Sequence, residues 1–253
     1  MLYIIGLGLC SSDVSQRALE LVRESSGSYI ERYTSFIPES TIELIKAASP
    51  SGVTELSRQD LEDGVDGFVS KAAGTDISLL VGGDPLVATT HKVILNAAAK
   101  RGIKTSMLHA PSILSAAIGE SGLDFYRFGQ IITIPRWSEH YKPISFFDII
   151  EGNAKRNLHT MLLLDYDGPS GSSLQPEEAA ETLVNAAQQH KSDLVGWDTK
   201  MLLLHNIALD GKVIRYAKLG ELKDIKFSNG PTLMMMPAKL ADIESETLLN
   251  VAT

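Results

Sequence analysis

The sequence predicts an α/β protein of two domains, because the order of its elements changes about half-way along the chain. In residues 1–114, five apolar runs of strand length are separated by four helical patterns. This alternation is typical of a parallel sheet with crossover helices. In residues 115–253, strands follow one another directly, and Asp210-Gly211 joins two of them, which favours a hairpin in a mixed sheet. The domains are expected to meet between about Pro111 and Gly122.

The elements of the first domain follow from hydrophobic periodicity. Short runs rich in Ile, Leu, Val and Tyr predict strands, and apolar residues at helical spacing predict helices. In the first helix, Ala18, Leu21 and Val22 lie on one face. The predicted strands are 2–9, 29–33, 53–56, 77–81 and 104–108, and the predicted helices are 15–24, 40–48, 60–73 and a segment after 84 that ends at 100.

The second domain is predicted to contain more strands than helices. Only two helical patterns stand out, and the longer one begins with Pro176, whose missing N–H needs no partner at a first helical position. Ala180, Leu183 and Val184 form the apolar face of that helix. The predicted strands are 130–134, 160–165, 201–206, 213–219 and 232–237, and the predicted helices are 176–190 and 239–249.

Composition favours a soluble cytoplasmic protein. The chain has 253 residues, of which 44% are apolar and 21% charged, as in ordinary globular proteins. Its net charge of −8 argues against a nucleic-acid surface, which needs clustered Lys and Arg. Cys10 is the single cysteine, so no internal disulfide can form and a reducing compartment is expected. The apolar run at 1–10 is too short to span a bilayer and lacks a basic leader, so no membrane partner is expected.

The segment 79–91, LLVGGDPLVATTH, carries the strongest functional signal. An apolar strand leads into Gly82 and Gly83, whose missing Cβ atoms let a flat ligand lie against the backbone. Open α/β sheets bind small ligands in crevices at the carboxyl ends of their strands. A plainer interpretation stays open, since Asp84 and Pro85 also suit the N-cap and first position of a helix.

Other chemistries have weaker support in the sequence. The first strand ends in GLGL at 6–9, and Glu31 follows near the second strand, as in dinucleotide-binding loops. The third glycine of that fingerprint is missing, so a dinucleotide is not expected. The six histidines show no metal-ligand spacing, and no metal is predicted. Cys10 is expected to pack against its surroundings rather than to act as a nucleophile.

Two runs, GLGL at 6–9 and GDP at 83–85, resemble the S-adenosylmethionine-dependent methyltransferases of the tetrapyrrole methylase class. In its full form, GDPLVATTH at 83–91, the second run resembles one branch of that class, the diphthine synthases, and further runs similar to that branch extend over nearly the whole chain. These branch-specific runs are ERYTS at 31–35, LSRQDLE at 56–62, HAPSI at 109–113, KP at 142–143, SFFD at 145–148 and LHT at 158–160.

The resemblance implies two α/β domains with S-adenosylmethionine in the cleft between them, and a homodimer. The cofactor contacts that it implies are Leu9, Asp84, Val87, Ser112, Ile113, Leu164, Ile207 and Thr232. The chain departs from the family in the second domain, where Thr232 replaces a usual histidine and NIAL at 206–209 replaces a small-residue run. Taken alone, the apolar members would be core residues, and Ser112 would cap a helix that begins at Ile113.

The activity that the resemblance implies is N-methylation within diphthamide biosynthesis. The substrate would be the 3-amino-3-carboxypropyl group on a histidine of translation elongation factor 2, methylated up to the trimethylammonium form, with S-adenosylhomocysteine as the second product. The sequence nominates no residue as the proton acceptor. Two alternatives remain open, a tetrapyrrole C-methyltransferase and a non-enzymatic dinucleotide-binding or scaffold module.

Overall fold

The computed structural model describes residues 1–168, 170–227 and 229–252. The chain forms two compact units, Met1–Ile113 and Leu114–Thr253. Each unit contains a five-stranded sheet with helices, so the predicted α/β class is confirmed.

The sheet of the first unit is entirely parallel. Its strand order is β3-β2-β4-β1-β5, with β1 and β4 paired from Leu2↔Ile77 to Gly6↔Val81. Because all neighbours are parallel, the carboxyl ends of the five strands lie at one edge of the sheet. The strands are β1 (Leu2–Gly6), β2 (Gly27–Glu31), β3 (Val53–Leu56), β4 (Ile77–Val81) and β5 (Thr105–Leu108).

Helices cover both faces of this sheet. Alternate residues of a strand point to opposite faces, so Ile4 and Leu79 join one apolar cluster while Ile5 and Leu80 join another. The first cluster includes residues of α3, α4 and α5, and the second includes residues of α1 and α2. The helices are α1 (Gln16–Glu24), α2 (Glu39–Ala48), α3 (Arg58–Glu62), α4 (Val65–Ser70) and α5 (Lys92–Lys100).

The sheet of the second unit is mixed, as expected from its consecutive strands. Its order is β11-β10-β12-β7-β6, in which only β6 and β7 are parallel neighbours. The adjacent strands β10 and β11 pair antiparallel from His205↔Val213, which confirms the hairpin around Asp210-Gly211. The strands are β6 (Ile132–Ile134), β7 (Thr160–Leu164), β10 (Lys200–His205), β11 (Val213–Lys218) and β12 (Thr232–Met236), with a separate small pair of β8 (Tyr166–Asp167) and β9 (Ser172–Ser173).

One apolar cluster of the second unit lies on one face of this mixed sheet. Phe147 of α7, Leu183 of α8 and Leu222 of α9 join Leu203 and Met234 of the strands in one cluster. The helices are α6 (Ile113–Ser121), α7 (Phe146–Lys155), α8 (Pro176–Gln189), α9 (Leu219–Leu222) and α10 (Asp242–Val251).

Some predicted helix positions were wrong. The helix expected after residue 84 begins only at Lys92, and the expected helix at 60–73 is divided around Gly64 into α3 and α4. Hydrophobic periodicity predicted none of α6, α7 and α9, although the capping interpretation of Ser112 placed a helix start at Ile113, where α6 begins. In α6 (ILSAAIGES) the apolar residues do not form one stripe, and in α7 the paired aromatic and β-branched residues are also typical of a strand.

Candidate functional site

Two glycine loops meet at the carboxyl edge of the parallel sheet. The Gly8 N–H donates to the Gly83 carbonyl at 3.3 Å, and the Gly83 N–H donates back to the Gly8 carbonyl at 2.9 Å. Both residues have left-handed backbone, with φ of +73° and +67°. Because a side chain would strain this conformation, glycine is needed at both positions. The loops after β1 and β4 are therefore fixed to each other by their backbones.

Two nearby glycines, Gly6 and Gly82, allow close packing and leave no room for a ligand. A Cβ on Gly6 would lie 2.6 Å from the Gly83 carbonyl oxygen and 2.9 Å from the Ala110 Cβ. A Cβ on Gly82 would lie 2.7 Å from the Ser35 Oγ. Beside Gly83, by contrast, the nearest atom is the Pro111 carbonyl oxygen at 4.0 Å, so this part of the loop borders open space. Of the two glycines named in the sequence, Gly83 is the one that leaves room for a ligand.

Asp84 links the loop after β4 to the loop after β5. Its Oδ2 accepts a hydrogen bond from His109 Nδ1 at 2.7 Å and lies 3.4 Å from the Ala110 N–H. Its side chain is 11% exposed, whereas that of His109 is 69% exposed. No helix begins at Asp84, because α5 starts eight residues later, so the N-cap interpretation is wrong. The side chain instead holds together two of the runs identified from sequence.

The segment between Asp84 and α5 folds back on a single carbonyl. The Pro85 oxygen accepts from Thr89 Oγ1 at 3.2 Å and from His91 Nδ1 at 3.1 Å, while Ala88 has a left-handed φ of +54°. Side-chain donors therefore take the place of helical N–H donors. This capture explains why the predicted helix does not begin at Pro85.

A buried carboxylate lies beneath this segment. Glu31 is fully buried, and its oxygens accept from the N–H groups of Tyr33 and Thr34, each at 3.1 Å, and from the Thr34 hydroxyl. These three hydrogen bonds satisfy the buried side chain. His91, which is 1% exposed, places Nε2 3.5 Å from Glu31 Oε1. Its Nδ1 donates to the Pro85 carbonyl, so the His91 ring closes the segment over the buried Glu31 side chain.

Tyr33 lies against the same pair. Burial raises the pKa of its hydroxyl to about 12, and the negative charge of Glu31 contributes to the rise. The guanidinium of Arg58 lies 5.2 Å from the centre of its ring. Tyr33 is therefore a neutral hydrogen-bonding group at physiological pH and not a base.

The loop after β1 is held by a residue that the sequence analysis missed. Asp13 Oδ2 accepts from the Leu9 N–H at 2.8 Å and lies 3.3 Å from the Cys10 N–H. Its side chain also occupies the space where a Cβ on Gly8 would be. The sequence signal for this role is an acidic residue three positions after Cys10. Cys10 directly precedes a short 3₁₀ turn. Asp13 thus orients the backbone at Leu9, one of the predicted cofactor contacts.

The structure brings together the predicted residues of the first unit. Leu9, Val87, Ser112 and Ile113 all lie in loops or element ends at the carboxyl edge that carries Asp84, and all four are half-buried. For the apolar members, this partial exposure differs from the core burial that hydrophobicity alone predicts. Ser112 directly precedes α6, as expected for a residue before the helix that begins at Ile113.

The three predicted residues of the second unit lie at one edge of its own sheet. Leu164 ends β7, Thr232 begins β12, and Ile207 follows β10. The central strand β12 is antiparallel to both others, with Leu233 opposite Leu163 and Leu204. All three residues are buried, at 5%, 8% and 2% exposure.

A histidine beside Thr232 shapes this second edge. The Thr232 Oγ1 lies 2.9 Å from His205 Nδ1, and the His205 ring stacks on Phe227 with centroids 3.7 Å apart. Burial lowers the pKa of His205, so the ring is neutral at physiological pH. Left-handed backbone at Asn206 (φ +53°) and Ala208 (φ +66°) turns the chain sharply on either side of Ile207.

Another ionisable cluster of the second unit is structural. His159 accepts from the Ala238 N–H at 2.8 Å and donates to Glu244 Oε1 at 2.9 Å. Glu244 also pairs with Arg127 and accepts from the Ala241 N–H. Burial opposes ionisation of Glu244, but the backbone N–H donors and His159 together lower its pKa. With its polar atoms engaged, the cluster connects α10 to the start of β7.

Among the residues that the structure describes, no group of three His, Cys, Asp or Glu side chains is suited to a metal ion. Within the same ranges, no helix is long and apolar enough to cross a membrane.

Comparison with known proteins identifies the family to which this chain is similar. The family model of tetrapyrrole (corrin/porphyrin) methylases matches residues 1–223. The diphthine synthase of Methanothermobacter thermautotrophicus is 34% identical over 253 residues, which cover 100% of this chain and 96% of that protein. That of Methanosphaera stadtmanae is 32% identical over 254 residues, with the same coverage.

Solved structures agree with this result. A crystal structure of diphthine synthase superposes with a TM-score of 0.86 at 31% identity, covering 100% of this chain and 96% of that one. The crystal structure of a conserved hypothetical protein from Aeropyrum pernix K1 gives a TM-score of 0.90 at 29% identity, covering 100% of this chain and 89% of the other.

Proposed function

The chain belongs to the tetrapyrrole methylase family and, within it, to the diphthine synthases, and we propose that it methylates translation elongation factor 2. Membership confirms the family predicted from GDPLVATTH and HAPSI, and it makes the protein a methyltransferase of diphthamide biosynthesis that uses S-adenosylmethionine. The proposed acceptor is the amino nitrogen of the 3-amino-3-carboxypropyl-histidine, and the proposed end point is the trimethylammonium form.

One observation carries this proposal. Two of the branch-specific runs, ERYTS at 31–35 and HAPSI at 109–113, contact the segment GDPLVATTH at the carboxyl edge of the parallel sheet. ERYTS contacts GDPLVATTH through Glu31 and His91 at 3.5 Å, and GDPLVATTH contacts HAPSI through Asp84 and His109 at 2.7 Å. Both of these runs therefore contact the segment that contains the Gly-Asp-Pro loop of the wider class. This arrangement supports substrate selection at that edge.

The residues present fit S-adenosylmethionine. Open space borders Gly83, and half-buried Leu9, Val87 and Ile113 offer apolar surface next to it. Asp84 and the backbone at Leu9 supply polar groups at the same edge. When bound, S-adenosylmethionine supplies a methyl group already activated by its sulfonium charge. The protein then has to hold the acceptor nitrogen in line with that methyl group.

The remaining parts of the proposal depend on the resemblance. We infer that Ser112 contacts the cofactor from the first unit and that Leu164, Ile207 and Thr232 contact it from the second. We also propose a homodimer and a cytoplasmic location. A lone, half-buried Cys10 is compatible with a reducing compartment.

The direct test uses labelled S-adenosylmethionine and elongation factor 2 that carries the unmethylated precursor. Successive additions of methyl groups to the modified histidine are expected, detected by mass spectrometry. Elongation factor 2 with an unmodified histidine is the matched control and should gain none, because a site built to hydrogen-bond the amino-carboxypropyl group rejects a substrate that lacks it. Methylation of a tetrapyrrole at a comparable rate, or of the unmodified factor, would contradict the assignment.

A further inference from the structure

His109 combines an exposed ring with a buried carboxylate partner. Its Nδ1 lies 2.7 Å from Asp84 Oδ2, and its side chain is 69% exposed while that of Asp84 is 11% exposed. An ionised carboxylate only accepts hydrogen bonds, so Nδ1 carries the proton. In the neutral ring, Nε2 is then left with a free lone pair.

This arrangement distinguishes His109 from the other histidines. His91, His159 and His205 are buried, and each has a ring nitrogen within hydrogen-bonding distance of a polar group in the core. His190 is 3.7 Å from Asp148, whose side chain is 70% exposed. The carboxylate beside His109 is itself shielded, which strengthens its hold on the ring.

The backbone around His109 fixes the ring in place. The next residue, Ala110, points its N–H at the same Oδ2 from 3.4 Å. Gly6 allows this approach, since a Cβ there would lie 2.9 Å from both the Ala110 Cβ and the Pro85 Cδ. His109 therefore extends from the loop after β5. It lies beside the loop after β4, in which Gly83 and Asp84 are part of the proposed cofactor site.

We propose that His109 is the general base of the methyl transfer, with Asp84 setting its tautomer and orientation. This inference rests on the proposed function, because an ammonium group must lose a proton before its nitrogen can attack. Nε2 takes that proton, and the freed lone pair forms the new C–N bond. The S–CH₃ bond breaks, and its electron pair stays on sulfur as the sulfonium becomes a thioether.

The proton balance holds for every round. Each transfer converts an ammonium group and a methyl sulfonium into a more methylated ammonium group, a thioether and one proton. The protonated imidazole passes that proton to water, which its exposure allows, and the neutral base is restored. The same proton transfer applies to primary, secondary and tertiary amines, so one histidine supports all three methyl additions.

The kinetic test compares His109→Ala with His140→Ala, a substitution at another exposed histidine. General-base catalysis contributes about 10²–10⁴-fold, so the His109 variant should lose that much methyl-transfer rate while the His140 variant keeps the wild-type rate. Added imidazole should restore part of the loss in His109→Ala only. Calorimetry should give wild-type affinity for S-adenosylhomocysteine in both variants.

A second measurement needs no turnover. Long-range ¹⁵N–¹H spectra of the ligand-free protein should show His109 as the Nδ1–H tautomer, and Asp84→Asn should reduce that preference. An unchanged rate in His109→Ala, a loss that imidazole does not restore, or an Nε2–H tautomer would overturn the proposal. Failure of the wild-type protein to methylate precursor-bearing elongation factor 2 would overturn the proposed function instead. The tautomer measurement would then report only on the hydrogen bond between His109 and Asp84.

Discussion

Glu31 and His91 show how a single pair of residues can support a binding loop. The Glu31 side chain ends β2 and the His91 ring closes the segment that begins at Asp84, so one buried pair of residues joins the two. Each partner is also hydrogen-bonded to backbone groups, as a buried polar side chain requires. The sequence contains both residues inside recognisable runs, but nothing in it shows that positions sixty residues apart are in contact.

Glu31→Gln is expected to destabilise the protein strongly. It keeps the shape of the side chain but replaces one carboxylate oxygen with an NH₂ group, which cannot accept from the donors of Tyr33 and Thr34, and each buried donor left without an acceptor costs about 1–3 kcal/mol. Denaturant unfolding measures the change. Glu20→Gln, which breaks an exposed ion pair with Arg17, is the control and should change stability little. A loss in Glu31→Gln as small as the control's would mean that these hydrogen bonds contribute little to stability.

Buried histidines make stability depend on pH. Burial lowers the pKa of His159 and of His205, so the folded chain binds fewer protons than the unfolded chain below about pH 6.5. The unfolding free energy should therefore be constant above that value and fall as the pH decreases through it. Urea unfolding between about pH 7.5 and about pH 5.5 tests this.

The matched variant for this pH dependence is His205→Gln. It removes one of the two proton-binding differences, so the decline in stability should become shallower. Substitution of the exposed His140 should leave the slope unchanged. A slope that is identical in wild type and His205→Gln would show that His205 is protonated freely in the folded protein.

At the scale of secondary-structure elements, the end of β1 controls how closely the loops approach. Gly6→Ala would place a Cβ 2.6 Å from the Gly83 carbonyl, and the two loops would have to separate. We expect a loss of about 1–3 kcal/mol of stability, together with weaker binding of S-adenosylhomocysteine. Calorimetry and thermal unfolding measure the two effects.

Gly67→Ala is the control for that substitution. Gly67 lies in α4, and a Cβ there would meet no atom within 4 Å, so alanine should stabilise the helix slightly. Equal cofactor affinity in Gly6→Ala and wild type would show that the approach of the loops is not needed for binding.

Periodicity predicted most elements and failed where tertiary contacts replaced helical hydrogen bonds. The strands of both sheets were found because their apolar runs are bounded by polar loops. The segment after Pro85 has a helical composition, yet Thr89 and His91 take its first carbonyl. The same limit applies to the residues of the candidate site. Asp84 and Ile113 were found through local runs, whereas Asp13 and the Asp84–His109 pair depend on contacts that only the fold creates.

At the scale of the whole molecule, cofactor binding should appear as added stability. A ligand that binds only the folded chain raises the unfolding free energy by about 2.7 kcal/mol at a concentration 100 times its dissociation constant. Thermal unfolding with S-adenosylhomocysteine should therefore show a higher midpoint. Ile113→Asp should abolish the increase, because its carboxylate would lose hydration against the ligand's apolar surface.

The control for Ile113→Asp is Ile243→Asp, at a 67% exposed position of α10. That variant should keep the full ligand-dependent increase. An increase that survives in Ile113→Asp as well would exclude Ile113 from the cofactor contacts and would weaken the assignment of its neighbour Ser112.

The strand order β3-β2-β4-β1-β5 also has a consequence for the newly made chain on the ribosome. β1 has no neighbour until residues 77–81 have been synthesised, since its partners are β4 and β5. β2 and β3 are close in sequence and can pair earlier, but β4 must later insert between β1 and β2. Until then the apolar strand β1 has no paired neighbour. An unpaired apolar strand favours aggregation of the nascent chain. We therefore expect synthesis of β4 to be the moment at which the first unit becomes able to fold.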